Sequence, residues 1–237
     1  MTPLIELKDI CYHYSSQKPI LHHLDLQLAG GKVGLIGPNG SGKTTLLHIM
    51  VGLLKPDSGD IYFEGVKIKT KQDIRNLRRN IGFLFQSSDD QLFSPTVLED
   101  VAFGPLNLGA SPEEAIHKAQ ITLKKLDLKG FEDRVTHRLS GGEKKLVALA
   151  TILSMEPKLL LLDEPTNNLD PATLGRLTEI LQELEQVQMI VSHDLSFLDK
   201  ITDRLYTIED GRINVSPDLH IHEHHHVHTG GNYPHHH

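Results

Sequence analysis

Val33-Gly34-Leu35-Ile36-Gly37-Pro38-Asn39-Gly40-Ser41-Gly42-Lys43-Thr44 decides the fold. A short apolar run, bounded by Gly and charge, reads as a buried parallel strand. It feeds directly into G-x-x-x-x-G-K-[ST], and a helical pattern follows. In that strand-loop-helix context the glycines let the backbone curl, so that successive N–H groups point inward at phosphate oxygens, and the helix start adds its positive end. Lys43 is placed to reach the β- and γ-phosphates of a nucleotide, and the Thr44 hydroxyl to take a position on Mg²⁺.

Such a loop requires a carboxylate partner elsewhere in the chain. Leu159 to Asp163 is an apolar strand ending in one, and Glu164 follows it. In open parallel sheets ligands bind at the carboxyl ends of strands, which sets Asp163 to hold Mg²⁺ through water and Glu164 to polarise an attacking water. Leu4 to Ile10 and Leu24 to Leu28 alternate partially, as half-exposed strands do. Ile61 to Phe63, Ile81 to Phe85, Met189 to Val191 and Leu205 to Ile208 are short runs rich in β-formers. Helical patterns fall between several of them, which predicts an α/β structure with a mostly parallel sheet. Val97 to Leu153 breaks the alternation with three helix candidates and no strand. One of these starts at Ser111 as cap, with Pro112 first and Glu114 bonding back, and runs to about Leu126.

The chain has 237 residues, 38% hydrophobic and 23% charged, which is ordinary for a globular protein with a sizeable core. No apolar run approaches the roughly 20 residues that cross a bilayer. Acidic residues within the first ten positions and no basic-then-apolar stretch predict no secretory signal, hence a cytosolic chain. Cys11 is the single cysteine, so internal disulfides and all-Cys metal sites are excluded. The formal charge of −7 argues against broad nucleic-acid binding, and partial protonation of 16 histidines weakens that argument. Nine of those histidines lie between His220 and His237, where apolar periodicity ends. The resulting division is a nucleotide-binding α/β core at 1–86 and 160–216, a helical segment at 87–159 and a His-rich tail at 217–237.

Leu139-Ser140-Gly141-Gly142-Glu143 precedes a helical pattern and supports two compatible readings. Ser140 with Glu143 is a capping box. Two adjacent glycines in a first helical turn also mark a place where backbone must approach something closely, and a helix start binds anions.

With these motifs in this order, residues 3 to 215 resemble the ATP-binding-cassette ATPases of ABC transporters. The resemblance implies the phosphate-loop NTPase fold of that family, with a mostly parallel sheet core, an antiparallel β portion and an inserted helical subdomain. It implies ATP and Mg²⁺ as cofactors and a nucleotide-binding loop from Gly37 to Thr45. Glu164 is then the catalytic base, Gln86 touches Mg²⁺ and the attacking water, and His193 serves the γ-phosphate. Mg²⁺ falls to Thr44, Gln86 and Asp163. Tyr14 stacks on adenine, with Tyr12 as rival. Ser140, Gly141 and Gly142 form the signature that completes the site of a second ATPase subunit, identical or paralogous, and Asn168 and Asp170 are dimer contacts. Gln86 and His193 also read as a loop amide and as part of a helix at Ser192 to Lys200, and Asp170-Pro171 as a plain helix start.

Two departures stand out. The signature's usual Gln is Glu143, with Lys144 and Lys145 read as its offset, and a usual Arg is Leu146. Asn167 and Asn168 replace small residues. Asp89-Asp90-Gln91-Leu92-Phe93, Pro95-Thr96-Val97 and Asp100 to Pro105 narrow the resemblance to energy-coupling-factor importers of the cobalt and nickel branch. That implies an ATPase at the cytoplasmic face of the membrane, peripheral, docked on a transmembrane coupling protein that works with a substrate-binding membrane protein. Vitamin import, or another cargo, keeps the same chemistry. A soluble ABC switch is the reading of another class, disfavoured by the lack of a second cassette. His220, His222, His224, His225, His226 and His228 suit Ni²⁺ or Co²⁺ as a native metal buffer or sensor, or mark an engineered tail.

Overall fold

A computed structural model describes residues 2–14 and 19–215. In chain order its strands are β1 (Ile5–Tyr12), β2 (Leu21–Leu28), β3 (Lys32–Ile36), β4 (Ser58–Phe63), β5 (Val66–Lys67), β6 (Ile81–Leu84), β7 (Leu159–Asp163), β8 (Val187–Val191), β9 (Arg204–Glu209) and β10 (Arg212–Val215). Its α-helices are α1 (Lys43–Met50), α2 (Lys71–Asn80), α3 (Val97–Asn107), α4 (Pro112–Lys125), α5 (Gly141–Leu153), α6 (Pro171–Glu183) and α7 (Leu195–Ile201).

Six strands form one sheet in the order β10-β9-β3-β8-β7-β6, parallel except for β10. The leucine run of β7 shows why. All five of its residues are buried, Leu159 and Leu161 in one core and Leu160 and Leu162 in the other, so a continuous apolar stretch serves both faces of the sheet. The second sheet, β2-β1-β4-β5, is antiparallel and covers one of those cores. Its β2 begins at Leu21, three residues before the stretch read as strand. The alternation breaks at His23, which takes a left-handed φ of 48° where the pairing with β1 slips, and Leu21 is buried beyond the break.

Between the neighbouring strands β6 and β7 the chain makes α3, α4 and α5, which pack together and onto the other face of the sheet. The division at 159/160 falls one residue inside β7. Helix α4 starts as its residues dictate: Ser111 accepts from the Glu114 backbone and Glu114 returns the bond to the Ser111 N–H at 2.9 Å. Among the described residues no helix is long and apolar enough to cross a membrane.

Adjacent β3, β8, β7 and β6 end on the same side. Their carboxyl ends carry, respectively, the Gly37 loop, Ser192-His193, Asp163-Glu164 and Phe85-Gln86. Four segments distant in sequence therefore meet at one edge.

Candidate functional site

The loop leaving β3 turns into α1 through Gly42, which caps the helix in the left-handed region at φ 102°. A Cβ there would stand 2.8 Å from Leu21 Cδ2 and 2.9 Å from Ile20 Cγ2, so only glycine fits. Lys43 turns back, its Nζ donating to the carbonyls of Gly37 at 2.8 Å and Pro38 at 2.9 Å, and so closes the curl. Burial lowers the Lys43 pKa, opposed by the charges of Glu164 and Asp163. No side chain caps α1 and no acidic residue occupies its first turn, whereas α2 to α7 each have a side-chain cap. The first N–H groups of α1 are left for an anion.

Opposite the loop, Asp163 and Glu164 are 2% and 5% exposed. Burial raises the pKa of Asp163, opposed by a hydrogen bond from the Thr44 hydroxyl and the charges of His48, Lys43 and Lys145. Glu164 adopts a left-handed φ of 47°, with its N–H bonded to the Val191 carbonyl at 2.9 Å. Its Oε1 lies 3.3 Å from His193 Nε2, outside hydrogen-bond alignment. No group among the described residues reaches either carboxylate oxygen in good hydrogen-bond geometry, and burial pushes the pKa up, opposed by the charge of His193 and by its backbone N–H nearby. His193 precedes Asp194, the cap of α7, and so lies outside that helix.

One pocket of about 450 Å³ gathers most of the residues singled out in the sequence: Tyr14, Asn39, Gly40, Gly42, Lys43, Thr44, Thr45, Gln86, Asp163, Glu164 and His193. Ile20 and Val191 also line it, outside the motifs, as does Asn167, one of the noted departures. Tyr14 is 41% exposed, its hydroxyl 3.3 Å from Thr45 Oγ1; Tyr12 meets its ring edge-on at 5.1 Å and does not line the pocket. Gly37, Pro38 and Ser41 shape the loop from outside that lining, and the Ser41 hydroxyl is buried without a partner among the described residues. The buried Ser41 hydroxyl, an uncapped helix start and a buried ammonium group supply donors that fit a triphosphate, while the Glu164 carboxylate is an acceptor that suits a water molecule beside it. The oxygen donors of Thr44, Gln86 and Asp163 suit Mg²⁺, which takes few protein ligands beside substrate phosphates and water.

Ser140, Gly141 and Gly142 do not line this pocket. Gly141 instead faces a separate cleft with Gln86, Lys144, Lys145, Asn167 and Asn168. Ser140 caps α5, accepting from the Glu143 N–H at 3.3 Å, while Glu143 Oε2 accepts from the Ser140 N–H at 2.8 Å. Glu143 Oε1 accepts from Arg134 Nη1 at 2.8 Å, and Arg134 is itself stacked 3.7 Å over the Phe131 ring. The Ser140 N–H and then the Arg134 charge hold the Glu143 carboxyl below its usual range. This corrects the expected offset by Lys144 and Lys145. Lys144 pairs with Asp89 at 2.6 Å, and Lys145 bonds the Phe85 and Gln86 carbonyls.

The paired glycines separate. A Cβ on Gly142 would come within 2.9 Å of Thr173, so close packing on α6 explains it, whereas nothing among the described residues lies within 4 Å of a Cβ on Gly141. Leu146, where the resemblance calls for Arg, is 3% exposed in the helical core. Asp170 caps α6, accepting from the N–H groups of Ala172 and Thr173 and from the Thr173 hydroxyl at 2.6 Å; these bonds lower its pKa. The tail histidines lie outside the described residues. Arg134 escapes the sequence motifs, and Asn167 and Lys145, noted there as departures or as an offset, take roles in the site that the motifs did not give them.

A family model described as ABC transporter matches residues 21–167. A relative from Nitratidesulfovibrio vulgaris, described as an ABC transporter ATP-binding protein, is 53% identical over 99% of this chain and 86% of its own. Energy-coupling factor transporter ATP-binding protein EcfA of Methanothermobacter thermautotrophicus is 42% identical over 89% of this chain and 69% of its own. Among solved structures, cbiO1 from Clostridium perfringens, part of the ABC transporter complex cbiONQ, superposes with a TM-score of 0.82 at 34% identity, covering 91% of this chain and 88% of that one. The dimeric cassette MJ0796, in a post-hydrolysis state with ADP and Pi, gives 0.79 at 29% identity over 89% and 96%. The chain belongs to the ABC transporter family, as one of its ATP-hydrolysing cassettes.

Proposed function

We propose that the pocket between the Gly37–Thr45 loop and Glu164 is the hydrolytic half-site of this ATPase, completed in a dimer by the Ser140–Gly142 helix tip of a second subunit. The observation that carries this reading is the Glu164 carboxylate, buried at the pocket wall beside Lys43 and His193 with no side chain among the described residues bonded to it. Backbone N–H groups of residues 40–45 and Lys43 Nζ hold the β- and γ-phosphates. Tyr14 supports the base by stacking. Thr44, Asp163 and Gln86 would hold Mg²⁺, which when bound would neutralise charge on the phosphate oxygens. Glu164 accepts the proton of the attacking water, with Gln86 orienting that water and His193 holding the γ-phosphate end. Low exposure keeps bulk water from competing for Glu164.

Because Gly141 lies outside the pocket, one chain carries two incomplete halves, and head-to-tail pairing joins them, with Asn168 and Asp170 along the contact. ATP binding favours the closed pair because only closure makes both sets of phosphate contacts, and hydrolysis removes that preference.

At the finer level, the chain energises a membrane importer of transition-metal ions, cobalt or nickel, from the cytoplasmic face. It docks on a coupling protein through the groove between Asp89, Phe93, Pro95 and His137, where Phe93 is 66% exposed. Likeness to cbiO1 and the Asp89 to Pro105 stretch support this. The His220 to His228 cluster binds Ni²⁺ or Co²⁺ as a local buffer. Calorimetry with Mg-ATP tests the first reading: folded protein that takes up no nucleotide overturns it. Purification from membranes, with identification of attached proteins and metals, tests the second; a metal-free, vitamin-bearing complex overturns the cargo.

A further inference from the structure

The signature helix α5 and the segment carrying Gln86 are joined by a buried ammonium group. Lys145 is 3% exposed, and its Nζ donates to the Gln86 carbonyl at 2.8 Å and to the Phe85 carbonyl at 3.3 Å. Pairing between β6 and β7 stops at Leu84, so both carbonyls have already left the sheet ladder and need another donor. Two further ties run from α5 to the same segment. Gln91 Nε2 donates to the Ala148 carbonyl at 2.8 Å while its Oε1 accepts from the Phe85 N–H at 3.3 Å, and Lys144 pairs with Asp89 at 2.6 Å. The Lys144 pair is exposed on the Asp89 side and contributes little. A charged donor shielded from water makes the stronger bond, and its loss leaves two carbonyls stranded.

Burying an amine is unfavourable in itself, and burial lowers the Lys145 pKa, opposed by the charge of Asp163. A leucine or methionine would fill the same space without that cost. The position therefore serves something other than packing.

We propose that Lys145 is a positioning residue for the hydrolytic reaction: it pins the backbone of Gln86 to the signature helix, so that the Gln86 side chain enters the pocket in a register set by α5. This rests on the role given to Gln86 above. The consequence reaches both half-sites, since α5 carries Ser140 and Gly141 at its tip.

The test is a double-mutant cycle on steady-state ATP hydrolysis by the full chain, with Lys145→Met, Gln86→Ala and the pair. Lys145→Met is expected to lower kcat by about tenfold with KM for Mg-ATP changed less than about threefold, and to cost less than about twofold further once Gln86 is alanine. Lys145→Gln, which keeps a neutral donor, is expected to recover part of the loss, and it carries the cycle if thermal melting shows Lys145→Met unfolded. Equal losses in both Gln86 backgrounds, normal kcat in Lys145→Met, or unfolding of both Lys145 variants overturns the proposal. If Gln86→Ala alone hydrolyses normally, the role given to Gln86 fails instead, and the proposal with it.

Discussion

Glu164 Oε1 stands 3.3 Å from His193 Nε2, yet the ring is out of line for a hydrogen bond to that carboxylate. A nearby basic ring without a bond locked to it leaves the carboxylate able to take a proton. Glu164→Gln keeps the shape and removes that capacity. It is expected to bind Mg-ATP, to hydrolyse it at least about a hundredfold more slowly, or about 2.7 kcal/mol of barrier, and to accumulate as a dimer. Phosphate release and sedimentation in Mg-ATP measure this; near-normal turnover removes Glu164 from the base role.

Burial raises the Glu164 pKa, and the carboxylate is the active form. The acid limb of kcat/KM is therefore expected above the ordinary glutamate value near 4.3, and His193→Ala, which removes an opposing charge, moves that limb to higher pH. For stability the sign is reversed. An acid with a raised folded-state pKa costs stability above its unfolded pKa, and the cost disappears as pH falls below it. Glu164→Gln is thus expected to melt higher than wild type at pH 7, each ~1 kcal/mol giving about 2–4 °C, with the gap closing in acid.

In Glu143→Gln the Ser140 capping box survives, because an amide oxygen also accepts from the Ser140 N–H, while the charge paired with Arg134 is lost. Hydrolysis is expected to stay within about tenfold of wild type, about 1.4 kcal/mol. A loss of several orders of magnitude in a phosphate-release assay makes the carboxylate essential.

Alanine at the two signature glycines separates partner contact from packing. Gly141→Ala meets open space in a helix, so the isolated chain is expected to gain up to about 1 kcal/mol in urea unfolding while Mg-ATP-driven dimerisation weakens. Gly142→Ala drives a methyl into Thr173, and a loss of about 1–3 kcal/mol is expected. Unchanged dimerisation of Gly141→Ala contradicts the close-approach role.

Deleting residues 218–237 is expected to leave ATP hydrolysis unchanged and to abolish most Ni²⁺ or Co²⁺ uptake seen by calorimetry. Metal binding that survives the deletion assigns it elsewhere.

The sheet and its loop were legible because β3 and β7 are short apolar runs whose following residues are chemically unusual, Gly37 to Thr44 and Asp163-Glu164. What escaped had no such pattern. Helix α2 buries only Leu77, so its periodicity is weak, and β5 is two residues long. The lower limit of β2 was hidden by the break at His23. In the site, the strand pattern brought Asp163 to a strand end and the family resemblance added Gln86 and His193, but the expected partners of Glu143 are not the observed ones. Sequence adjacency favoured Lys144 and Lys145, whereas the helix turns both toward residues 85–89 and brings Arg134 to the carboxylate from the preceding loop.

The close packing of Gly142 against Thr173 sets the first turns of α5 and α6 on one anvil. Thr173 also bonds Asp170, so a blow to the tip of α5 is felt at once by the turn leading into α6. A neighbouring molecule pressing on either would meet a single stiff edge.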